Sequence, residues 1–189
     1  MNWSKTRYFI MSFLILSLIS SGGILSPKGD PPTPPPPDTQ YGDLTSKDHV
    51  ITNLVKSYNE ANIDEYIKII HDDYLWFNQA EDVAGGLEEF VLRDPDVLAT
   101  SNMFAARNGT HPDPNMLIDK LTLILYPGSW TEITEIDGTP CEDCWYTTRE
   151  YVMSVVMSGG DMTYNANDLV KIWVASVMEG DKKLYKLRR

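Results

Sequence analysis

The strongest constraint on this chain is the character of everything after Met116. The runs "MLIDKLTLILY", "WYTTREYVMSVVM", "NDLVKIWVASVM" and "KKLYKL" are rich in β-branched and aromatic residues. Such side chains fit a pleated, half-buried surface and lose rotamer freedom in a helix. Turn-forming stretches, "PGS", "DGTP", "SGGD" and "EGDKK", separate the runs, so the pattern predicts a meander of long antiparallel strands. Upstream the period changes. Thr45 or Ser46 can cap a helix whose apolar positions Val50, Ile51, Leu54, Val55 and Tyr58 share one stripe. Asn62 offers a second cap, with Glu65 three residues on, for a short helix with Ile63, Tyr66, Ile67 and Ile70 on its apolar face. "YLWFN" is strand-prone. "GLEEFV" and "DVLATSNMFAAR" read as helical, broken at "RDPD", where Pro95 disfavours helix at Asp94. Helices first and long strands afterwards predict an α+β domain over residues 44–189, with the helices on one face of an antiparallel sheet.

The first residues follow a different logic. Lys5 and Arg7 precede the twelve-residue apolar run "YFIMSFLILSLI", and the small residues "SSGG" follow it. A basic start, a short apolar core and a small-residue exit form the layout of a secretory signal peptide, here residues 1–23. The competing reading is an uncleaved anchor, because "ILS" extends the apolar stretch towards the roughly 18 residues that can span a bilayer. Residues 24–43 read as a tether. "PKGDPPTPPPPDTQ" holds seven of the twelve prolines, which cannot donate backbone hydrogen bonds and favour an extended, semi-rigid conformation. The expected location is therefore secreted, periplasmic or cell-surface, with a membrane tether only if the signal is retained.

Acidic residues outnumber basic ones 27 to 16, for a net charge of −11, and removing the signal deletes two bases and no acid. Phosphate binding needs a concentrated basic surface, so nucleic acid is not an expected partner.

The chemistry-bearing residues are few. Cys141 and Cys144 in "CEDCW" have redox or zinc-knuckle spacing. A redox site wants the first cysteine at a helix N-terminus, whereas this pair precedes a strand-like run, and Glu142 and Asp143 oppose thiolate formation. A structural zinc site wants four ligands and only this knuckle exists. For an exported chain the pair reads as a small disulfide clasping a loop between strands. His49, His71 and His111 share no motif, and neither a nucleophile elbow nor a phosphate-binding glycine loop occurs. No metal and no cofactor are expected. In "HDDYLWFNQ" (residues 71–79), His71 and Asp72 occupy the last helical turn, where consecutive side chains point about 100° apart and cannot converge on an ion, so both are expected at the solvated surface. In the strand that follows, Tyr74, Trp76 and Asn78 share one face, and Leu75 and Phe77 the other.

The stretch "NEANIDEYIKIIHDDYLWFNQ" followed by long strands resembles the NTF2-like (SnoaL-like, cystatin-like α+β) superfamily, over about residue 47 to the end. The resemblance implies a cone, in which a strongly bent antiparallel sheet wraps the N-terminal helices around a cavity, and it implies a tendency to dimerise. Tyr58, Tyr74, Trp76, Asn78, Glu150 and Asp168 are the candidate cavity residues on that reading. In an ungapped match to the ketosteroid isomerases of the superfamily, the catalytic aspartate falls on Asn78 and the oxyanion-stabilising tyrosine on Leu54. Asparagine cannot act as a base and leucine cannot donate a hydrogen bond. The expected function is accordingly a non-catalytic module that binds a small molecule or peptide, or assembles with itself. The rival is an enzyme of the same fold using a cavity acid or base, and a third reading is an interaction module docking through the exposed sheet.

Overall fold

The computed structural model describes residues 40–189 apart from Gln79, Asp137 and Asp161. The expected signal segment and the tether up to residue 39 lie outside the described residues. Packing begins at Tyr41, slightly before the expected Leu44: Asn53 grips Gly42 through both its backbone N–H and C=O, at 2.9 and 2.8 Å.

Helix α1 (Lys47–Glu60) starts where Ser46 caps the Asp48 N–H, and it stops at Ala61, whose left-handed backbone (φ 50°) turns the chain. Asn62 then caps α2 (Ile63–Ile69) by accepting from the Glu65 N–H at 3.2 Å. Both caps fall where the polar residues precede the apolar stripes, which satisfies amide groups that no helical partner can reach. Strand β1 (Leu75–Phe77), helix α3 (Ala80–Ala84), strand β2 (Phe90–Leu92) and helix α4 (Arg93–Arg107) follow. Four of the remaining strands, β3 (Ile118–Leu125), β5 (Thr139–Met157), β6 (Thr163–Glu179) and β7 (Lys182–Leu187), pair in that order, and β4 (Trp130–Ile136) pairs with the first part of β5.

The result is an α+β fold with a strongly curled antiparallel sheet and a few helices. Register shifts in β3 between Ile118 and Lys120, and in β4 between Ile133 and Glu135, fit that curl, because a bulge bends its strand and raises the local twist. Directly paired residues share a face, so the β5–β6 ladder defines two surfaces. The inner one carries Val155, Ile172 and Val174, which pack with Leu121 of β3 on Val50, Tyr66, Ile69 and Phe104 of the helices. The C-terminal residues weld the β1–β2 hairpin to this sheet: Leu75 N–H donates to Arg188 C=O at 3.1 Å, and Trp173 N–H to Arg189 C=O at 2.8 Å.

Three expectations need correction. "GLEEFV" is not helical: its last two residues open β2, which pairs residue by residue with β1, so tertiary pairing overrides local propensity. The "RDPD" stretch is not a break either, since α4 begins at Arg93 and Pro95 lies in its first turn, where no intrahelical N–H is missed. Strand β4 was not foreseen. Its apolar residues Trp130, Ile133 and Ile136 recur every third position, a helical rather than a strand-like spacing, and in the strand Trp130 packs on the main core while Ile133 and Ile136 pack with Cys144 and Ala175 on the other face.

Candidate functional site

The six candidate cavity residues do not converge. Trp76 of β1 is 39% exposed, whereas Tyr74 just before the strand is buried. It does not point into a closed interior. Asn78 is not a cavity residue either: its Nδ2 donates to Glu88 C=O at 2.6 Å and its backbone N–H to Glu89 C=O at 3.0 Å, which closes the β1–β2 hairpin. Glu150 and Asp168 are exposed, the first on the outer face of β5 and the second near the end of the inner face. His71, expected at the surface, has a side chain only 15% exposed, and burial holds its imidazole below the usual pKa. Asp72 is solvated, as expected.

Tyr58 and Tyr74 do meet, around a residue the sequence reading passed over. Asp96, in the first turn of α4, accepts a 2.6 Å hydrogen bond from the Tyr66 hydroxyl. Tyr58, Tyr66 and Phe104 interlock edge to face, with ring centres 5.2 to 6.1 Å apart. Burial pushes the Asp96 carboxyl up to about 6, although the Tyr66 hydroxyl partly offsets it by stabilising the charged form. The phenols of Tyr58, Tyr66 and Tyr74 are all raised, first by burial and then by the nearby Asp96 charge or by one another. A carboxyl that titrates near 6 against three phenols can exchange a proton, and it can equally well serve as the polar centre of a packed core. The signal available in sequence was slight. "RDPDV" shows a Pro-initiated helix with acids in its first turn, a pattern that usually reports only favourable helix-dipole placement.

The outer face of the sheet holds a different constellation. Tyr146 on β5 sits directly opposite Trp173 on β6, ring centres 6.3 Å apart. The Lys171 ammonium lies 4.2 Å from the Tyr146 ring centre and 4.5 Å from that of Trp173. The Arg189 guanidinium sits 4.9 Å from the Trp173 ring centre and 3.6 Å from that of Phe77. Phe77 pairs in turn with Phe90, 6.0 Å away and 47% exposed. Rings and cations thus alternate across β2, β1, the C-terminal residues, β6 and β5. With strands about 4.8 Å apart, this row is roughly 20 Å long. Behind it a small second core forms from Ile136, Cys144 and Ala175, with Ile133, Cys141 and Trp173 packed against it. The Cys141–Cys144 disulfide is present and closes around Asp143, whose left-handed backbone (φ 53°) makes room for it. Both cysteines lie within β5 rather than in the loop between strands that was expected, and the disulfide packs beside Trp173.

Asp143 itself turns to the inner side. Burial would raise its carboxyl, but hydrogen bonds from Lys183, Trp145 and Tyr185 outweigh this and hold it down to about 2. That knot ties the β6–β7 hairpin to the first part of β5. Nearby, an open groove of about 520 Å³ runs between Leu44 and Thr45 on one side and Glu179, Lys183 and Leu184 on the other, and no sequence-predicted cavity residue lines it. Among the described residues, no group of three or more His, Cys, Asp or Glu side chains is placed to hold a metal ion. No helix among them is long and apolar enough to cross a membrane.

No protein-family model and no curated protein matches the chain. Among solved structures it is similar to a conserved protein from Planctomyces limnophilus DSM 3776, with a TM-score of 0.50 and 10% sequence identity, covering 75% of this chain and 88% of that one. At that identity the likeness extends to the fold alone.

Proposed function

We propose that this chain is an exported recognition domain of NTF2-like architecture, which binds its partner without catalysis and does so through the outer face of its sheet. One observation carries the reading: the row of rings and cations from Phe90 to Tyr146. Aromatic side chains and basic groups held together at a surface are the composition of binding hot spots. The interior supports binding less well, since Tyr58, Tyr66, Tyr74 and Phe104 fill the space between helices and sheet with one another. Probing an array of glycans and peptides with the wild-type domain, Trp173→Ala and Asp96→Asn tests the site. Binding should be lost in the Trp173 variant and kept in the Asp96 variant. The reverse pattern would move the site to the interior.

A second reading, an enzyme using an interior acid or base, is favoured by the Asp96 carboxyl at about 6 beside Tyr66. Its signature would be a turnover that Asp96→Asn abolishes while the fold is kept, with a pH profile that breaks near 6.

A further inference from the structure

We propose that the outer-face row binds a linear polysaccharide bearing carboxylates, an inference that rests on the recognition reading above. The first argument is charge. On a chain of net charge −11, this face is locally basic: Lys120, Lys171, Lys182, Lys186 and Arg188 outnumber Glu150, Glu179 and Asp73. Electrostatic complementarity on this side therefore selects an anion.

The second argument is how the cations are held. Most basic side chains in the fold are spoken for by carboxylates: Lys183 by Asp143, Lys186 by Glu179, Arg188 by Asp73 and Arg93 by Asp72 and Asp94. Lys171 is exposed, pairs with no carboxylate among the described residues, and is held instead by the faces of Tyr146 and Trp173. A cation fixed on rings keeps its N–H groups free for an incoming anion, and its position is already paid for in entropy.

The third argument is shape. The row crosses strands rather than filling a pocket, and its paired rings lie 6.0 and 6.3 Å apart, centre to centre. A chain of sugar rings can lay its C–H faces on such rings while its carboxylates reach the cations between them. A nucleic acid fits less well, because it places a phosphate at every nucleotide and two ring-held cations, Lys171 and Arg189, cannot neutralise that density.

Titration of the full chain with polygalacturonate oligosaccharides, followed by calorimetry, tests the proposal, with neutral cello-oligosaccharides and single-stranded DNA as comparisons. Binding of the uronate should weaken as salt is raised. Lys171→Gln should weaken it about fivefold, as loss of one charge-assisted contact does, and Tyr146→Ala and Trp173→Ala should weaken it further. Circular dichroism identifies any variant that has lost its fold, and Lys171→Gln, a solvated change, keeps the test open if Trp173→Ala unfolds. Uronate binding that ignores both Lys171→Gln and Tyr146→Ala overturns the proposal, as does absence of uronate binding or equal binding of DNA. Neutral sugar bound through Trp173 would overturn the anionic class yet leave the recognition face standing. Loss of every interaction mapped to this face would remove both.

Discussion

Asp96 is the residue whose protonation the fold controls most directly. Its carboxyl titrates at about 6 in the folded protein, above an ordinary aspartate, because burial disfavours the charge more than Tyr66 compensates for it. A raised carboxyl pKa stabilises the fold where the group is protonated: the contribution is complete below the unfolded value near 3.8 and is lost as pH rises through 6. On the order of 2 kcal/mol is at stake. Asp96→Asn keeps an acceptor for the Tyr66 hydroxyl and removes the charge. Thermal melts should therefore show the variant at least as stable as wild type at pH 7, with less loss of stability between pH 4 and 7. A variant much weaker than wild type at pH 7 would mean that the ionised carboxylate is what the core requires. None of this was legible in "RDPDV", because desolvation is a property of the neighbours. Tyr58 and Tyr74 were picked out by sequence for a cavity, and they meet instead around a carboxylate 22 or more positions away along the chain.

At the scale of elements, asparagines on α1 do what strand neighbours do elsewhere. Asn59 accepts from the Leu123 N–H at 2.7 Å and donates to its C=O at 3.1 Å. It thereby completes the free edge of β3 as an adjoining strand would, on an edge that otherwise offers unpaired backbone groups to other chains. Asn53 does the same for Gly42. Asn59→Ala leaves both Leu123 groups without their partner, and chemical denaturation should show a loss of about 2 kcal/mol, with faster aggregation of the partly unfolded chain. A change below about half a kcal/mol would show that water replaces the amide at no cost. Helix α1, its caps and the long strands could be read from the sequence, since each depends on residues within a few positions of one another. The pairing of β2 with β1 could not, because its three residues have no strand preference strong enough to stand without the partner.

For the whole molecule, the net charge is −11, yet five of the last eight residues are basic and form or adjoin β7. The export reading belongs here too. Mass spectrometry of the native protein should show loss of about 21 to 23 N-terminal residues, and an intact chain recovered from the cytoplasm would remove both the signal and the tether from the argument.

The sequence by itself determined the α+β class, a cap at Thr45 or Ser46 and another at Asn62, and the succession of long strand-forming runs, because these follow from composition, period and short spacing. Only the tertiary structure decided which side of each strand meets the helices, and with it the fate of every candidate side chain. Alternation assigns Trp76 and Tyr74 to one face, but Tyr74 is buried and Trp76 is exposed, a difference set by what packs over each. The same limit hid the outer row. Phe77, Tyr146, Lys171, Trp173 and Arg189 lie on separate segments, and only the pairing of β5 with β6 and the docking of the C-terminus beside β1 make them neighbours. Local chemistry selects the elements; contacts between residues distant in sequence select the surface they present.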